Sequence, residues 1–348
     1  MLIVRSGGLG DTVLFALVVD RFMKLAEPDE PIVFLTPSAS RKTAFLLPDR
    51  IEVMTADYGR FRRRLSYRAS LTQHLYRRNF RRVVSSDHLR HPLLDEAMIG
   101  ACAAPLTEGL TARSWPKYKR LLRNNERFFS RLVDAGEGPS MLHRWTLLAN
   151  ILNGANETLP VANLPNADLP EAESIPRPVV ILQPFSAVAE KQPSPNLCAK
   201  IIESLGDRFD IVMTGGPDDR ANNPAYEGLF NGPNVRFDDR PFDAIVPLLR
   251  AASCVVSADT ALMHLAIAVG APTVGLASAA YVGDLVPYPR EATPGTARFH
   301  YTPMPCQGCV GSCNQPLEDS RWACVARLDA NAIIGTIQSL LAAQKDTP

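Results

Sequence analysis

Four groups of residues in this 348-residue chain have the types and spacing to do chemistry. The first is Arg5-Ser6-Gly7-Gly8-Leu9-Gly10-Asp11-Thr12, where the apolar run Leu2-Ile3-Val4 gives way to three glycines and then a carboxylate. Gly7, Gly8 and Gly10 permit tight turning and close approach of a ligand. Asp11 can take a proton from a hydroxyl within hydrogen-bond reach or cap a helix that starts near Thr12. The second group is Ser257-Ala258-Asp259-Thr260-Ala261-Leu262-Met263-His264-Leu265, after Cys254-Val255-Val256 and ahead of Gly270 and Thr273-Val274-Gly275-Leu276. That order reads as strand, sharp turn, helix, glycine stop and strand. Free N–H groups at such a helix start suit a phosphate or diphosphate; the alternative is that Asp259 or Thr260 caps the helix. The third group comprises Lys191, in a loop after Val179–Gln183, and Asp218-Asp219, after Thr214-Gly215-Gly216-Pro217. A surface lysine is most often simply solvated, and Gly-Pro-Asp is an ordinary turn. The fourth is Cys306, Cys309, Cys313 and Cys324, spaced C-x2-C-x3-C-x10-C with Pro303, Pro305, Gly308 and Gly311 among them. In a cytosolic chain this density argues for a metal knot, structural zinc or iron, over disulfides; free or oxidisable thiols are the other reading. Cys102, Cys198 and Cys254 stand singly in apolar surroundings and read as core.

The elements that must position these groups form two series. Leu2–Arg5, Ile32–Leu35 and Arg82–Ser85 read as strands with helices between them, and so do Val179–Gln183, Asp210–Thr214, Cys254–Val256 and Thr273–Leu276. Residues 154–178 carry five prolines and suit an extended linker. Two βα series of this length imply an α/β chain of two doubly wound parallel sheets, with ligands outside the carboxyl ends of the strands. A dinucleotide site is not expected: Val13 stands where the third glycine of G-x-G-x-x-G belongs, and Ile32–Leu35 runs into Thr36-Pro37-Ser38 without an acidic residue. The net charge of +1 hides an asymmetry: residues 1–150 hold 24 Lys and Arg against 15 Asp and Glu, the remainder 13 against 21. Much of the excess lies in Arg60, Arg62, Arg63, Arg64, Arg68, Arg77, Arg78, Arg81 and Arg82, then in Arg113, Lys117, Lys119, Arg120 and Arg123. Arginine-rich surfaces attract phosphates and anionic membranes. The alternative is a solvated helix face, with Phe61, Leu65, Ala69, Thr72 and Tyr76 as its apolar stripe. With no bilayer-length apolar run and no signal-peptide layout, a cytoplasmic location is expected.

The segment D-T-x-x-M-H-L-A-x-A-x-G-x-P-T-V from Asp259 resembles the C-terminal signature of glycosyltransferase family 9, the ADP-heptose:lipopolysaccharide heptosyltransferase family. Residues 1–15, 183–191 and 214–219 are similar to the same family; Ala261 stands where its members usually have glycine, and Gln192-Pro193 departs from its pattern after Lys191. The resemblance implies the GT-B fold, two Rossmann-like domains facing across a cleft. It puts an acceptor-binding domain at 1–160 and a nucleotide-sugar-binding domain at 175–328, the latter with a Cys-rich loop at 303–324. A helix at 329–344 would return toward the first domain.

By the same resemblance Asp11 is the general base that deprotonates the acceptor hydroxyl. The diphosphate would rest on Thr260, Ala261, Leu262 and Met263 with Lys191 neutralising its charge; Asp219 would hold the ribose, Asp259 the sugar, with His264 beside it. The implied activity is inverting, metal-independent transfer, needing no cofactor for catalysis. It carries a sugar, heptose from ADP-heptose, to a hydroxyl of an anionic glycan or glycolipid such as lipopolysaccharide core. Peripheral contact with the inner membrane surface would follow, and no nucleic-acid partner. Two alternatives stay open: a glycosyltransferase with another nucleotide-sugar or a protein acceptor, and a non-catalytic anionic-glycolipid-binding module. An epimerase is disfavoured, because Tyr-x-x-x-Lys is absent as well.

Overall fold

The computed structural model describes residues 1–343 apart from Ser114 and Glu137, and of Asp168 the backbone alone. Gln344, the end of the expected last helix, lies outside the described residues. The chain divides into two compact units after Leu159.

In the first unit, β1 (Leu2–Val4), β2 (Ile32–Pro37), β3 (Ile51–Ala56), β4 (Arg82–Ser85), β5 (Leu106–Leu110) and β6 (Arg131–Val133) form one sheet in the order β3-β2-β1-β4-β5-β6. Every pairing is parallel. Leu2, Val4, Val33, Leu35 and Val83 pack on one face with Phe61, Leu75, Met98 and Ile99. Another aromatic cluster, Phe15 against Phe22, Phe34 and Trp145, joins the helices Leu9–Ala16 and Met141–Asn153 to β2. Coverage on both faces is why these strands read as continuous apolar runs.

The second unit repeats the plan. Its strands β7 (Val179–Gln183), β8 (Asp210–Thr214), β9 (Val235–Asp238), β10 (Cys254–Ala258), β11 (Thr273–Leu276) and β12 (Ala297–His300) lie in the order β12-β11-β10-β7-β8-β9, again all parallel. In each sheet the chain winds outward from its first strand, then returns to that strand's other side. The reversals fall between β1 and β4, and between β7 and β10, and there the carboxyl ends of a doubly wound sheet open a crevice.

The last helix, Ala330–Ala343, places Ile333, Ile337 and Leu341 in one stripe within the second core, beside Leu197, Ile201 and Leu205 of the helix Pro195–Leu205. Its buried face therefore belongs to the second core. The expected stripe through Leu65 and Tyr76 is corrected: both are exposed, because the helix Leu65–Arg77 turns Leu71 and Leu75 inward and a separate turn, Tyr58–Arg63, buries Phe61. Among the described residues, no helix is long and apolar enough to cross a membrane.

Candidate functional site

The first sheet's switch point is built around a buried arginine. Arg5 follows β1 and is 1% exposed. One guanidinium nitrogen pairs with Oδ1 of Asp87, which follows β4, and the Ser6 N–H donates to Oδ2 of the same carboxylate. The Arg5 guanidinium lies 4.9 Å from the Trp145 ring centroid, and Nη2 donates to Met141 Sδ at 3.7 Å. Trp145 is fixed in turn by its Nε1–H, which donates to Ser86 O at 2.9 Å. Nη2 also reaches Asp11 Oδ2 at 3.3 Å.

Asp11 is not the N-cap. The helix starts at Leu9 with Gly8 as its cap, so Asp11 falls at the third helical position and its Oδ2 accepts from the Gly8 N–H at 2.9 Å. This is one half of a capping box, the half a glycine cap can offer. Gly7 is required by close approach, Gly8 is not. A Cβ on Gly7 would strike Arg5 Nη2 and Asp11 Oδ2. Gly8 has extended backbone that any residue adopts, and Gly10 lies inside the helix.

The second switch point carries the other motif. Thr260 is the N-cap of the helix Ala261–Ala268, yet its side chain does not cap. Its hydroxyl donates to Gln183 Oε1 at 2.9 Å, as does Ser257 Oγ at 2.9 Å. The first intrahelical bond runs from His264 N–H to Thr260 O at 3.4 Å, so the N–H groups of Ala261, Leu262 and Met263 precede the ladder. Lys191 Nζ donates to the main-chain oxygen of Asp259 at 2.8 Å and lies 3.1 Å from its Oδ2 and 4.7 Å from the Tyr281 ring centroid. Both partners are nearly buried, with side chains 11% and 2% exposed.

His264 is buried and stacked on Tyr288, its Nδ1 2.6 Å from the Tyr288 hydroxyl and its Nε2 3.9 Å from Asp259 Oδ1. Burial first, and the Asp259 charge second, raise the Tyr288 phenol well above its ordinary range, so it keeps its proton. Met263 points the other way, into the core under Gly275, so its side chain cannot meet a ligand.

Asp219 stands at the end of β8, the neighbour of β7, and its Oδ2 accepts from the Gly216 N–H at 2.6 Å. The carboxylate closes the Gly215-Gly216 turn, while Asp218 is exposed.

The cysteine-rich loop brings its thiols into one neighbourhood. Burial, then the nearby Cys313 and Cys309, push the Cys306 thiol up, and burial pushes up Cys324. Cys324 packs with Ala279, Ala280, Trp322 and Val325, with Cys309 and Cys313 at the cluster's edge. All four cysteines are free, and among the described residues no group of three or more His, Cys, Asp or Glu is placed to hold a metal ion. The expected zinc or iron knot therefore has no support in this arrangement of the described residues.

Sequence reasoning missed Arg5, Asp87, Trp145, Gln183, Tyr281 and Tyr288. Arg5 and Gln183 carried a usable signal, a long polar side chain ending an apolar strand. The others become partners only through the fold.

Three structural likenesses and one family match bear on this arrangement. The fold is similar to E. coli ADP-heptose lps heptosyltransferase II, at 16% identity over 99% of each chain with TM-score 0.71. It is similar to E. coli heptosyltransferase WaaC with ADP, at 16% identity over 97% of this chain and 99% of that one, TM-score 0.68. It is also similar to the dodecameric iron-containing heptosyltransferase TibC of enterotoxigenic E. coli, at 14% identity over 99% of this chain and 78% of that one, TM-score 0.53. No curated protein matches the sequence. The architecture is GT-B, two parallel six-stranded α/β units. Residues 101–312, more than half the chain, match glycosyltransferase family 9 (heptosyltransferase). This chain is a glycosyltransferase, and it belongs to family 9.

Proposed function

We propose that the protein is an inverting heptosyltransferase that moves heptose from ADP-heptose to a hydroxyl of an anionic glycan or glycolipid such as lipopolysaccharide core. The observation that carries this reading is the uncapped start of the Ala261–Ala268 helix beside Lys191, at the switch point of the second sheet. Three N–H groups and an ammonium converge where a diphosphate would gain most from them. The two E. coli neighbours whose names carry ADP support the choice of base.

In the proposed reaction the donor diphosphate lies on Thr260, Ala261, Leu262 and the Met263 N–H. Lys191 neutralises the charge that builds on it as the glycosidic C–O bond breaks, the task a metal ion performs in other glycosyltransferases. Asp259 holds Lys191 and faces the sugar, with His264 and Tyr288 behind it. Asp219 would leave its turn to accept from the ribose hydroxyls. Asp11 takes the acceptor proton as the hydroxyl attacks the anomeric carbon opposite the departing diphosphate. The acceptor binds the first unit, whose Arg62, Arg63 and Arg64 are exposed and suited to an anionic glycolipid at the inner membrane surface.

A thermal-shift screen with ADP-, UDP-, GDP- and CMP-sugars tests the donor. ADP-heptose should raise the melting temperature, by about 2.7 kcal/mol of added stability at a hundredfold excess over Kd. A larger shift with another base, or none with any, refutes it.

A further inference from the structure

We propose that Arg5, braced by Asp87 and Trp145, is a positioning residue that assigns different tasks to the two oxygens of Asp11; this rests on Asp11 being the base. Arg5 Nη2 at 3.3 Å and the Gly8 N–H at 2.9 Å both address Oδ2. Oδ1 has no hydrogen-bond or ion-pair partner among the described residues, and the Asp11 side chain is 23% exposed. One oxygen is anchored and the other is open, so Oδ1 is the proton acceptor. In the step, the acceptor O–H bond breaks and its proton passes to Oδ1. The hydroxyl oxygen forms the new bond to the anomeric carbon, and the pair from the broken C–O bond leaves with the diphosphate. The proton on Oδ1 then passes to water.

Arg5 can hold this position because it is over-determined from behind. Asp87 offers one oxygen to the guanidinium and the other to the Ser6 N–H, so it fixes both the arginine and the turn that follows β1. Trp145 covers the guanidinium face, and its own N–H is tied to Ser86 O, next to Asp87 in the chain. The anchor therefore draws on β1, β4 and the Met141–Asn153 helix together. Gly7 completes it, since any Cβ at that position would lie within the Arg5–Asp11 contact. A buried arginine shared by two carboxylates is costly to assemble for packing alone, since apolar residues of similar volume often do as well or better. Its arrangement is accounted for by the carboxylate it orients.

The test reads ADP release from ADP-heptose, with water alone and with an anionic lipopolysaccharide acceptor, in Arg5→Met, Arg5→Lys, Asp87→Asn and Gly7→Ala. Arg5→Met and Gly7→Ala should lose at least tenfold in kcat with the donor KM within twofold, and Arg5→Lys should recover part of the loss. Asp87→Asn should fall between. Gly7→Ala keeps every charge, so it carries the test if Arg5→Met fails to fold. A crystal structure of Arg5→Lys or Gly7→Ala reads the anchor without turnover: Asp11 should have left the Gly8 N–H in Gly7→Ala and kept it in Arg5→Lys. Full kcat in Gly7→Ala, or an unmoved Asp11 in its structure, overturns the anchor. Full turnover in Asp11→Asn would instead defeat the base reading beneath it, an outcome the structures tell apart.

Discussion

Lys191, in the loop after β7, and Asp259, directly after the adjacent strand β10, hold each other, so each is prepaid against burial by the other's charge. Removing one partner of such a pair leaves an uncompensated charge and typically costs about 3–5 kcal/mol. Lys191→Met should therefore lower the urea midpoint of the second unit as well as abolish the ADP-induced thermal shift, while Lys191→Arg keeps most of the stability. An unchanged midpoint in Lys191→Met would show that the pair is not formed in solution. Asp95 gives a second test at this scale. Its carboxyl, which accepts from the His91 N–H at 2.8 Å, is pushed up from 3.8 to about 6, chiefly by burial. The folded state thus binds this proton more tightly than the unfolded chain. Its favourable contribution is complete below 3.8 and is lost as pH rises through about 6, on the order of 3 kcal/mol in all. Asp95→Asn should flatten the first unit's urea midpoint across that range and raise it at neutral pH; a midpoint in the native protein that ignores pH there contradicts this. Asp259 and Asp11 could be singled out in the sequence because each follows an apolar or glycine-rich run, whereas Lys191 stood out only through the family resemblance. Asp87 was not, since its tie to Arg5 spans the β1–β4 switch and nothing local marks it.

At the scale of elements, the helix start that would receive the diphosphate depends on what lies beneath it. Met263 rests under β11, where a Cβ on Gly275 would come 2.6 Å from Met263 Sδ and 2.9 Å from Phe299 Cδ1. Gly275→Val should destabilise the second unit by about 1–3 kcal/mol through overpacking and weaken ADP binding in parallel, because the helix must shift. Isothermal titration with ADP checks the second half; unaltered affinity would separate the helix start from the ligand. The strands on either side, β7, β8, β10 and β11, were legible as apolar runs because both their faces are covered. Missed were β5, with Thr107, Glu108 and Gly109 at its centre, the short β6, and the outer strands β3, β9 and β12, where Glu52, Arg236 and Arg298 break the apolar pattern. Edge strands carry less of the core and so less of the signal. The helix register at 65–77 was misjudged because its spacing admits two stripes, and only the packing against Phe61 and Met98 chooses the one through Leu71 and Leu75.

For the whole molecule, the two units carry opposite charge excess on the same architecture. Several arginines of the first unit are matched, Arg78 to Glu52 and Arg81 to Glu30, and serve the fold. Arg62, Arg63 and Arg64 are exposed and form no ion pair among the described residues. If they draw in an anionic acceptor, the acceptor KM should rise with salt as the Debye length shortens from about 10 Å at 0.1 M toward about 3 Å at 1 M, and the triple change to Gln should remove that dependence. An acceptor KM indifferent to salt would place the acceptor elsewhere. The account depends most on the carboxylate that Arg5 and the Gly8 amide keep in place. The decisive measurement is ADP release from ADP-heptose, with acceptor, by Asp11→Asn at matched donor saturation. A fall of about a hundredfold or more in kcat, within the range a positioned base contributes, with the donor Kd unchanged, is the predicted result. Turnover within a few fold of the native enzyme would contradict it.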